Sequence, residues 1–308
     1  MDKKFLYYLL KRVLLAIVTI FLVVTITFFI MNFIPGGPFQ SEKAVKQETL
    51  DALNAKYGLD KPLGEQYVNY LKGAVKFDFG PSMKLDGRQV NDVIMEGFRV
   101  SARTGLIAAG CALALGMIFG SLAAVYHNKI VDRIIMVLST AFVAMPSFIV
   151  ATLLLWLFCI QSNVFPPNGQ EAGGLVLPVV SLMLYPMAYV IRLTRSSMLD
   201  VLGQDYIRTA RAKGVRPSMV LFKHALRNAV TPVVTYAGPM IAFIITGSLV
   251  VEKIFVVPGL GKYFVSSIQN RDYSMVMGTT IFLAVIVVVM MLLSDILYKI
   301  FDPRVDLS

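Results

Sequence analysis

The side chains that most often carry catalysis or bind a metal are few in this sequence. Both histidines, His127 and His224, fall in predicted loops, and neither an HExxH zinc pair nor a GxSxG nucleophile turn occurs. Cys111 and Cys159 lie inside apolar runs, which is typical of small core side chains and not of a disulfide framework. We therefore predict no catalytic residue and no metal site, and hence no enzymatic activity in this chain.

The sequence also lacks a nucleotide site. The stretch GLGKY ends like a phosphate-binding loop, but Val256 stands where the first glycine is required, and Tyr263 stands where Ser or Thr must follow the lysine. Ion-coupled carriers bury charges near mid-membrane, and the one acid found near an apolar run, Asp295, is at its end. The chain itself is thus predicted to hold no cofactor, and transport through it would be passive or driven by a partner.

One basic segment, DYIRTARAKGVRP, interrupts the apolar sequence between Asp205 and Pro217. It predicts a short helix that ends at Gly214, with Pro217 in the first turn of a second helix. Tyr206, Ala210 and Gly214 recur every four residues, so they predict a face of mostly small residues that another protein can approach closely. The alternative is a positively charged loop that lies on anionic lipid. The neighbouring basic residues are Arg208, Arg211, Lys213 and Arg216.

The elements that must position this segment are membrane spans. The chain has 308 residues, of which 56% are hydrophobic and only 16% charged, and its mean hydropathy is +0.69. A spanning helix needs about 20 apolar residues, which predicts an all-α polytopic membrane protein with six transmembrane helices. The predicted spans are Val13–Ile34, Thr104–Tyr126, Ile134–Ile160, Leu175–Ile191, Ala229–Val251 and Ser274–Ser294.

The distribution of Lys and Arg predicts the orientation. Cytoplasmic loops are enriched in both residues, and the basic loops here are the N-terminus, the loop with Lys129 and Arg133, the segment Arg192–Arg227 and the C-terminal end. Both termini are therefore predicted to be cytoplasmic, with the first span as an uncleaved signal anchor. The net charge of +10 is mostly a topology signal, so no nucleic-acid partner is expected.

The predicted organisation has four parts. Residues 1–34 form the N-terminal end and first span, 35–99 a helical extracytoplasmic insert, 100–301 a five-helix core containing the segment 203–227, and 302–308 a tail. The insert should hold a helix capped by Ser41 and ended by Gly58, and a second helix in PLGEQYVNYLKGAV. Two roles stay open for it, namely a structural cap on the bundle or a docking surface for an external partner.

Glycines and prolines mark the places where the spans depart from regular helices. GMIFG, with Gly116 and Gly120, predicts close packing between two helices. Interrupted helices are tolerated where they pack in a bundle or line a cavity, so the proline-rich spans three to five are candidates for a transport path, with simple packing kinks as the alternative. The prolines are Pro146, Pro178, Pro186, Pro232 and Pro239, of which Pro146, Pro186 and Pro239 are the pore candidates.

The loop between the last two spans is a further candidate for the path. Glu252 and Phe255 begin a stretch up to Tyr273 in which apolar residues and a PGLG turn are typical of a short amphipathic element. We predict that it helps to form an outer gate or a contact with a binding protein, and an interfacial structural helix is the alternative.

The basic segment resembles the cytoplasmic coupling motif of ABC importer permeases. Ala210, Gly214 and Leu226 match the second alanine, the glycine and the leucine of that motif. The form YIRTARAKG is typical of the dipeptide and oligopeptide branch, and the segments FIPGGPF, FDFGPS, EKIFVVPGLGKYFVSSIQNRDYSMVMG and DPRVD also resemble that branch, closest to its oligopeptide B subunits. The departures from the motif are Arg208, Thr209, His224 and Arg227.

The resemblance implies a type I ABC importer permease fold in the bacterial inner membrane, in a subunit that forms half of a peptide pore. It implies a heterodimer with a second homologous permease, two cytoplasmic ATPases that bind ATP and Mg, and an extracytoplasmic peptide-binding protein. Dipeptides, nickel chelates or other small solutes are alternative substrates, and an ion-driven carrier or passive channel is the alternative class. The residues implied to contact the ATPase are Asp205, Tyr206, Arg208, Thr209, Ala210, Arg211, Ala212 and Gly214.

Overall fold

The structure is a computed structural model that describes residues 3–39 and 46–301. These ranges contain no strand beyond one isolated bridge between Pro81 and Gln89, so the predicted all-α class is confirmed. Two stretches are π-helical: 156–161 continues the helix Ser147–Leu155, and 220–226 joins the short helices Pro217–Met219 and Arg227–Ala229. The helices are α1 (Lys3–Phe33), α2 (Gln47–Tyr57), α3 (Leu63–Lys76), α4 (Val90–Val125), α5 (Ile130–Ala144), α6 (Ser147–Leu155), α7 (Val176–Leu202), α8 (Asp205–Ala212), α9 (Pro217–Met219), α10 (Arg227–Ala229), α11 (Thr231–Ile245), α12 (Leu249–Ile254), α13 (Leu260–Gln269) and α14 (Tyr273–Phe301).

Five helical segments are long and apolar enough to cross a membrane, judged by length and composition within the described residues. The predicted third span differs, because α5 and α6 meet at a bend of 103°. The residue before a proline avoids the helical conformation, and Met145, which precedes Pro146, is extended with ψ 125°. The predicted span Ile134–Ile160 is thus broken at Pro146, one of the prolines expected to interrupt it, and a count of six spans requires the bent pair to be taken as one.

The described residues divide into two compact units. The first joins the residues up to Ser101 with Pro258–Val289, and the second joins Ala102–Val257 with the chain from Met290 onward. The first unit therefore combines the predicted outer insert with α13 and the first part of α14.

In the first unit, the insert packs along α1. The Tyr67 hydroxyl lies 2.8 Å from the Thr25 hydroxyl, and the Tyr70 ring stacks on Phe28 with centroids 5.5 Å apart. Gly58 ends α2 with φ 66°, as predicted. The predicted cap Ser41 lies outside the described residues, and Lys46 precedes α2 instead. Since Thr25 is in the middle of the apolar run, α3 lies beside the span and not only beyond its end.

A buried carboxylate joins the insert to the start of α14. Asp272 is 2% exposed and accepts hydrogen bonds from the Ser82 hydroxyl and from the backbone N–H groups of Met83 (3.2 Å) and Met275 (3.1 Å). The Tyr57 hydroxyl donates to the Ser82 carbonyl at 3.1 Å, and desolvation, with a smaller contribution from Asp272, raises the pKa of Tyr57. Asp272 thus caps the N-terminal end of α14 and holds the segment Ser82–Met83 of the insert against it.

In the second unit, the two glycines of GMIFG lie against α7. A Cβ on Gly116 would come within 2.6 Å of the Val190 side chain, and one on Gly120 within 2.7 Å of the Ile191 carbonyl. The predicted close approach of two helices is confirmed, since neither position has room for a methyl group.

Candidate functional site

Helix α8 begins and ends where the sequence predicts. Gln204 is extended before it, with ψ 151°, and Gly214 stands after it with φ 74°, a left-handed conformation that glycine adopts without a Cβ penalty. The Gly214 N–H donates to Arg211 at 3.0 Å and the Val215 N–H to Ala210 at 3.2 Å. These bonds satisfy carbonyls that the end of the helix would otherwise leave unpaired.

A second helix restarts at Pro217, as predicted. Pro217 occupies the first turn, where its missing N–H removes no helical hydrogen bond, and the extended Arg216 precedes it. The backbone then runs through the π-helical stretch 220–226 into α10. The sequence did not predict the π-helical geometry.

One side of α8 is buried inside the chain itself. Ile207 is fully buried and Ala210 is 9% exposed, and both pack with Met198 at the end of α7 and with Val220 of the next helix. The predicted face of Tyr206, Ala210 and Gly214 therefore needs correction, because Ala210 points to the core. Its small side chain allows the following helix to pack closely, and α8 is thereby held to α7.

The opposite side of α8 is exposed and carries most of the predicted contact residues. Arg208 lies 3.6 Å from Asp205, with both side chains largely in solvent, and such a pair contributes little to stability. The Tyr206 hydroxyl accepts a hydrogen bond from Asn228 at 3.0 Å. The exposed residues are Asp205, Tyr206, Arg208, Thr209, Arg211, Ala212 and Gly214.

Beside α8 lies a cleft of about 500 Å³. Arg211 borders it together with Val215, Pro217 and Phe222, and the Phe222 ring is 65% exposed. A largely apolar cleft beside a basic helix is a shape that fits an apolar knob of a partner protein. Phe222 could not be found from the sequence, because a single apolar residue in a helical pattern predicts a core position.

A larger cavity of about 660 Å³ is lined by all three prolines that were predicted as pore candidates. Pro146 stands at the bend between α5 and α6, while Pro186 and Pro239 are inside α7 and α11. A proline has no N–H to donate to the carbonyl four residues earlier in a helix. For Pro186 that earlier residue is Leu182, which also lines the cavity. The structure thus brings the three prolines to one cavity, and their part in a transport path stays a prediction.

The cavity wall is uncharged and mostly apolar, and it includes three aromatic side chains. Tyr185, Tyr236 and Phe243 line it, together with the small polar residues Ser147 and Ser248. None of its lining residues is an acid or a base. Such a wall can hydrogen-bond a polar backbone and contact varied side chains, but it offers no charge for selecting one ion. The sequence did not single out these residues, since aromatic residues inside spans are common.

Glu252 and Phe255 do not line this cavity. Glu252 is 4% exposed at the start of α12, and Phe255 is fully buried, with its carbonyl accepting a 2.7 Å hydrogen bond from the Gly169 N–H. The neighbouring Val256 is exposed. The structure thus buries the Phe255 side chain and bonds its carbonyl to Gly169, while a gate or binding-protein contact for this loop stays a prediction.

Two family descriptions match this sequence. Residues 116–307 match the binding-protein-dependent transport system inner membrane component, and residues 5–83 match the N-terminal region of such membrane components. The first match alone covers more than half of the chain. This chain belongs to that family of transport permeases. The family description, the bacterial relatives and the apolar spans together make it a multi-pass protein of the bacterial inner membrane.

Relatives of known name span nearly the whole permease. It is 46% identical to the dipeptide transport system permease protein DppB of Bacillus subtilis, over 97% of this chain and 98% of that protein. It is 43% and 41% identical to the oligopeptide transport system permease proteins OppB of Haemophilus influenzae and Escherichia coli, with the same coverage.

Solved structures share the fold of this permease. The MetNI methionine ABC transporter in an inward-facing conformation matches with a TM-score of 0.54 at 15% identity, over 68% of this chain and 96% of that chain. An amino acid ABC transporter matches with a TM-score of 0.51 at 17% identity, over 70% and 94%. These matches confirm the predicted type I ABC importer permease fold.

Proposed function

We propose that this permease is the membrane subunit of an ATP-driven peptide importer and forms half of its pore. The observation that carries the proposal is the similarity to dipeptide and oligopeptide permeases at 41–46% identity over 97% of the chain. The uncharged, aromatic cavity supports it, because a wall of this kind can contact peptides of many sequences through their shared backbone.

The proposal includes specific partners. A second homologous permease completes the pore, two cytoplasmic ATPases carry the ATP and Mg, and a peptide-binding protein delivers the substrate on the outer side. Helix α8 and its cleft would contact the ATPase, which requires that side of the protein, and with it both termini, to be cytoplasmic. The exposed Arg208 and Arg211 support this contact, since they place positive charge on the exposed side of α8.

Affinity purification of the tagged chain from its native membrane tests the proposal. We expect one further permease and two ATPase subunits to be recovered with it, and peptide to stimulate ATP hydrolysis only when the binding protein is present. Recovery of a homo-oligomer without any ATPase would contradict the proposal.

The length of the peptide is tested by competition. The dipeptide and oligopeptide permeases match this chain over the same share of its length. Uptake of a labelled peptide is therefore measured in competition with unlabelled dipeptides, pentapeptides and nickel chelates. Competition by peptides supports the proposal, whereas competition by the chelates alone would show that the substrate is not a peptide.

A further inference from the structure

A buried ion pair joins α5 to α7 in the second unit. The Arg195 guanidinium donates from Nε to Asp132 Oδ1 at 2.6 Å and from Nη2 to Asp132 Oδ2 at 2.8 Å. Asp132 is only 3% exposed and accepts a third bond, at 2.9 Å, from the backbone N–H of Asn128. His127 Nδ1 lies 3.2 Å from Arg195 Nη2. Both carboxylate oxygens are thus occupied, in a two-point contact that fixes orientation as well as distance.

The sequence pattern did not single out this pair. Asp132 lies in the predicted loop HNKIVDR, and Arg195 lies four residues after the predicted end of the fourth span, so each was counted as part of a cytoplasmic loop. In the structure α7 continues to Leu202, and Arg195 is inside the helix. A charge inside a span-forming helix normally marks a functional contact.

The pair lies between α8 and the cavity along the helix axis. From Arg195 to Leu202, where α7 ends before α8, there are seven residues, about 10 Å at 1.5 Å per residue. From Arg195 back to Pro186 in the cavity wall there are nine residues, about 14 Å. On α5, Asp132 is in the first turn and Ala144 of the cavity wall is in the last.

The contacts on either side of the pair are already tight. Ile207 of α8 packs on Met198, three residues after Arg195, so a displacement of α8 acts directly on α7. Met187 and Ile191 of α7 pack with Ile135 and Phe142 of α5. Apolar contacts alone allow two helices to slide, whereas a two-point ion pair resists sliding and rotation.

We propose that the Asp132–Arg195 pair is a positioning element that makes α5 and α7 move as one body when α8 is displaced. The proposal rests on the proposed function, since it assumes that an ATPase moves α8. A buried ion pair is a weak source of net stability compared with apolar residues of the same size, which fits a role in fixing geometry. Through it, one movement of α8 reaches two walls of the cavity, at Ala144–Pro146 and at Pro186.

The test uses the complete importer in lipid vesicles and measures ATP hydrolysed per peptide imported. Asp132→Asn keeps the shape and the acceptor for Asn128 but loses the charge, so assembly and ATP hydrolysis should persist. The ATP used per peptide should rise about threefold or more, the size typical of altered coupling between sites. Asp132→Glu, which keeps the carboxylate, should restore most of the wild-type ratio.

The control is the exposed ion pair Arg88–Glu96, whose side chains are about half in solvent. Glu96→Gln should leave the ratio unchanged. If Asp132→Asn does not assemble, Arg195→Lys takes its place, because it keeps the charge and loses the two-point contact.

Three outcomes overturn the inference: an unchanged ratio in Asp132→Asn, the same rise in Glu96→Gln, or loss of assembly in both Asp132→Asn and Arg195→Lys, which would make the pair a folding requirement. Failure of the proposed function is distinguishable from all three, because then the wild-type complex itself would not import peptide with ATP.

Discussion

Ala212 is a direct probe of α8 as a docking surface, because it is a small, exposed residue in the last turn of that helix. A tryptophan there should block close approach of an ATPase, and losing one central contact weakens binding by about 2 kcal/mol or more. We expect Ala212→Trp to be made at normal levels and to recover less ATPase on purification.

The matched control is Ala52→Trp, an exposed alanine on α2 in the predicted outer insert. It makes the same change in a helix that the sequence predicts to be extracytoplasmic, so we expect ATPase recovery to equal that of the wild type. Equal recovery with Ala212→Trp would remove α8 from the ATPase contact.

Substitutions at two glycines of α4 distinguish the effect of close packing on stability from the effect of helix propensity. Gly120 has no room for a Cβ beside the Thr194 side chain and the Ile191 carbonyl, whereas a Cβ on Gly110 meets no atom within 4 Å. Gly120→Ala should therefore lower the free energy of unfolding by about 1–3 kcal/mol through overpacking. Gly110→Ala should be neutral or raise it by up to about 1 kcal/mol through helix propensity. Thermal unfolding of the purified chain checks both, and equal effects would refute the close packing of α4 on α7.

At the scale of elements, Gly214 sets the end of α8 through its backbone conformation. A Cβ there would contact nothing within 4 Å, so the constraint is the φ of 74° and not space. Asparagine tolerates this conformation, while a β-branched residue does not. We expect the rate of ATP-driven uptake to be highest in Gly214→Asn, lower in Gly214→Ala and lowest in Gly214→Val. ATPase recovery is measured in parallel. An equal rate in all three variants would show that the left-handed end is dispensable.

The sequence predicted α8 well because its signals are local. The helix, its end at Gly214 and the restart at Pro217 depend on residues within one or two turns. The inward direction of Ala210 could not be predicted in this way, because it depends on Met198 and Val220, which the fold brings to the same side. For the same reason the burial of Phe255 against Gly169 and the Asp132–Arg195 pair were missed, since their partners are 63 or more residues apart.

At the scale of the whole molecule, the spans could be predicted because apolar length is a strong signal. Periodicity and composition do not show which way a helix turns after a break, so the 103° bend between α5 and α6 was missed. Proline marked three cavity positions correctly, while the aromatic wall between them depends on how α7 and α11 face each other.

The cavity is tested by photo-crosslinking in the transporting complex. Phe243 lines the cavity and is 63% exposed, and Phe222 borders the cleft beside α8 and is 65% exposed. A photoreactive phenylalanine at 243 should capture labelled peptide during transport, while the same group at 222 should capture none. Capture at both positions, or at neither, would argue against the cavity as the peptide path.

The central claim is that this permease moves peptide only as part of an ATP-driven complex. The most direct test measures uptake of a labelled peptide into lipid vesicles, with ATP on the side where α8 is exposed and the binding protein on the other. We expect uptake by the complete complex with ATP, and none by the isolated chain or without ATP. Passage of peptide through the isolated chain without ATP would contradict it and make the protein a passive channel.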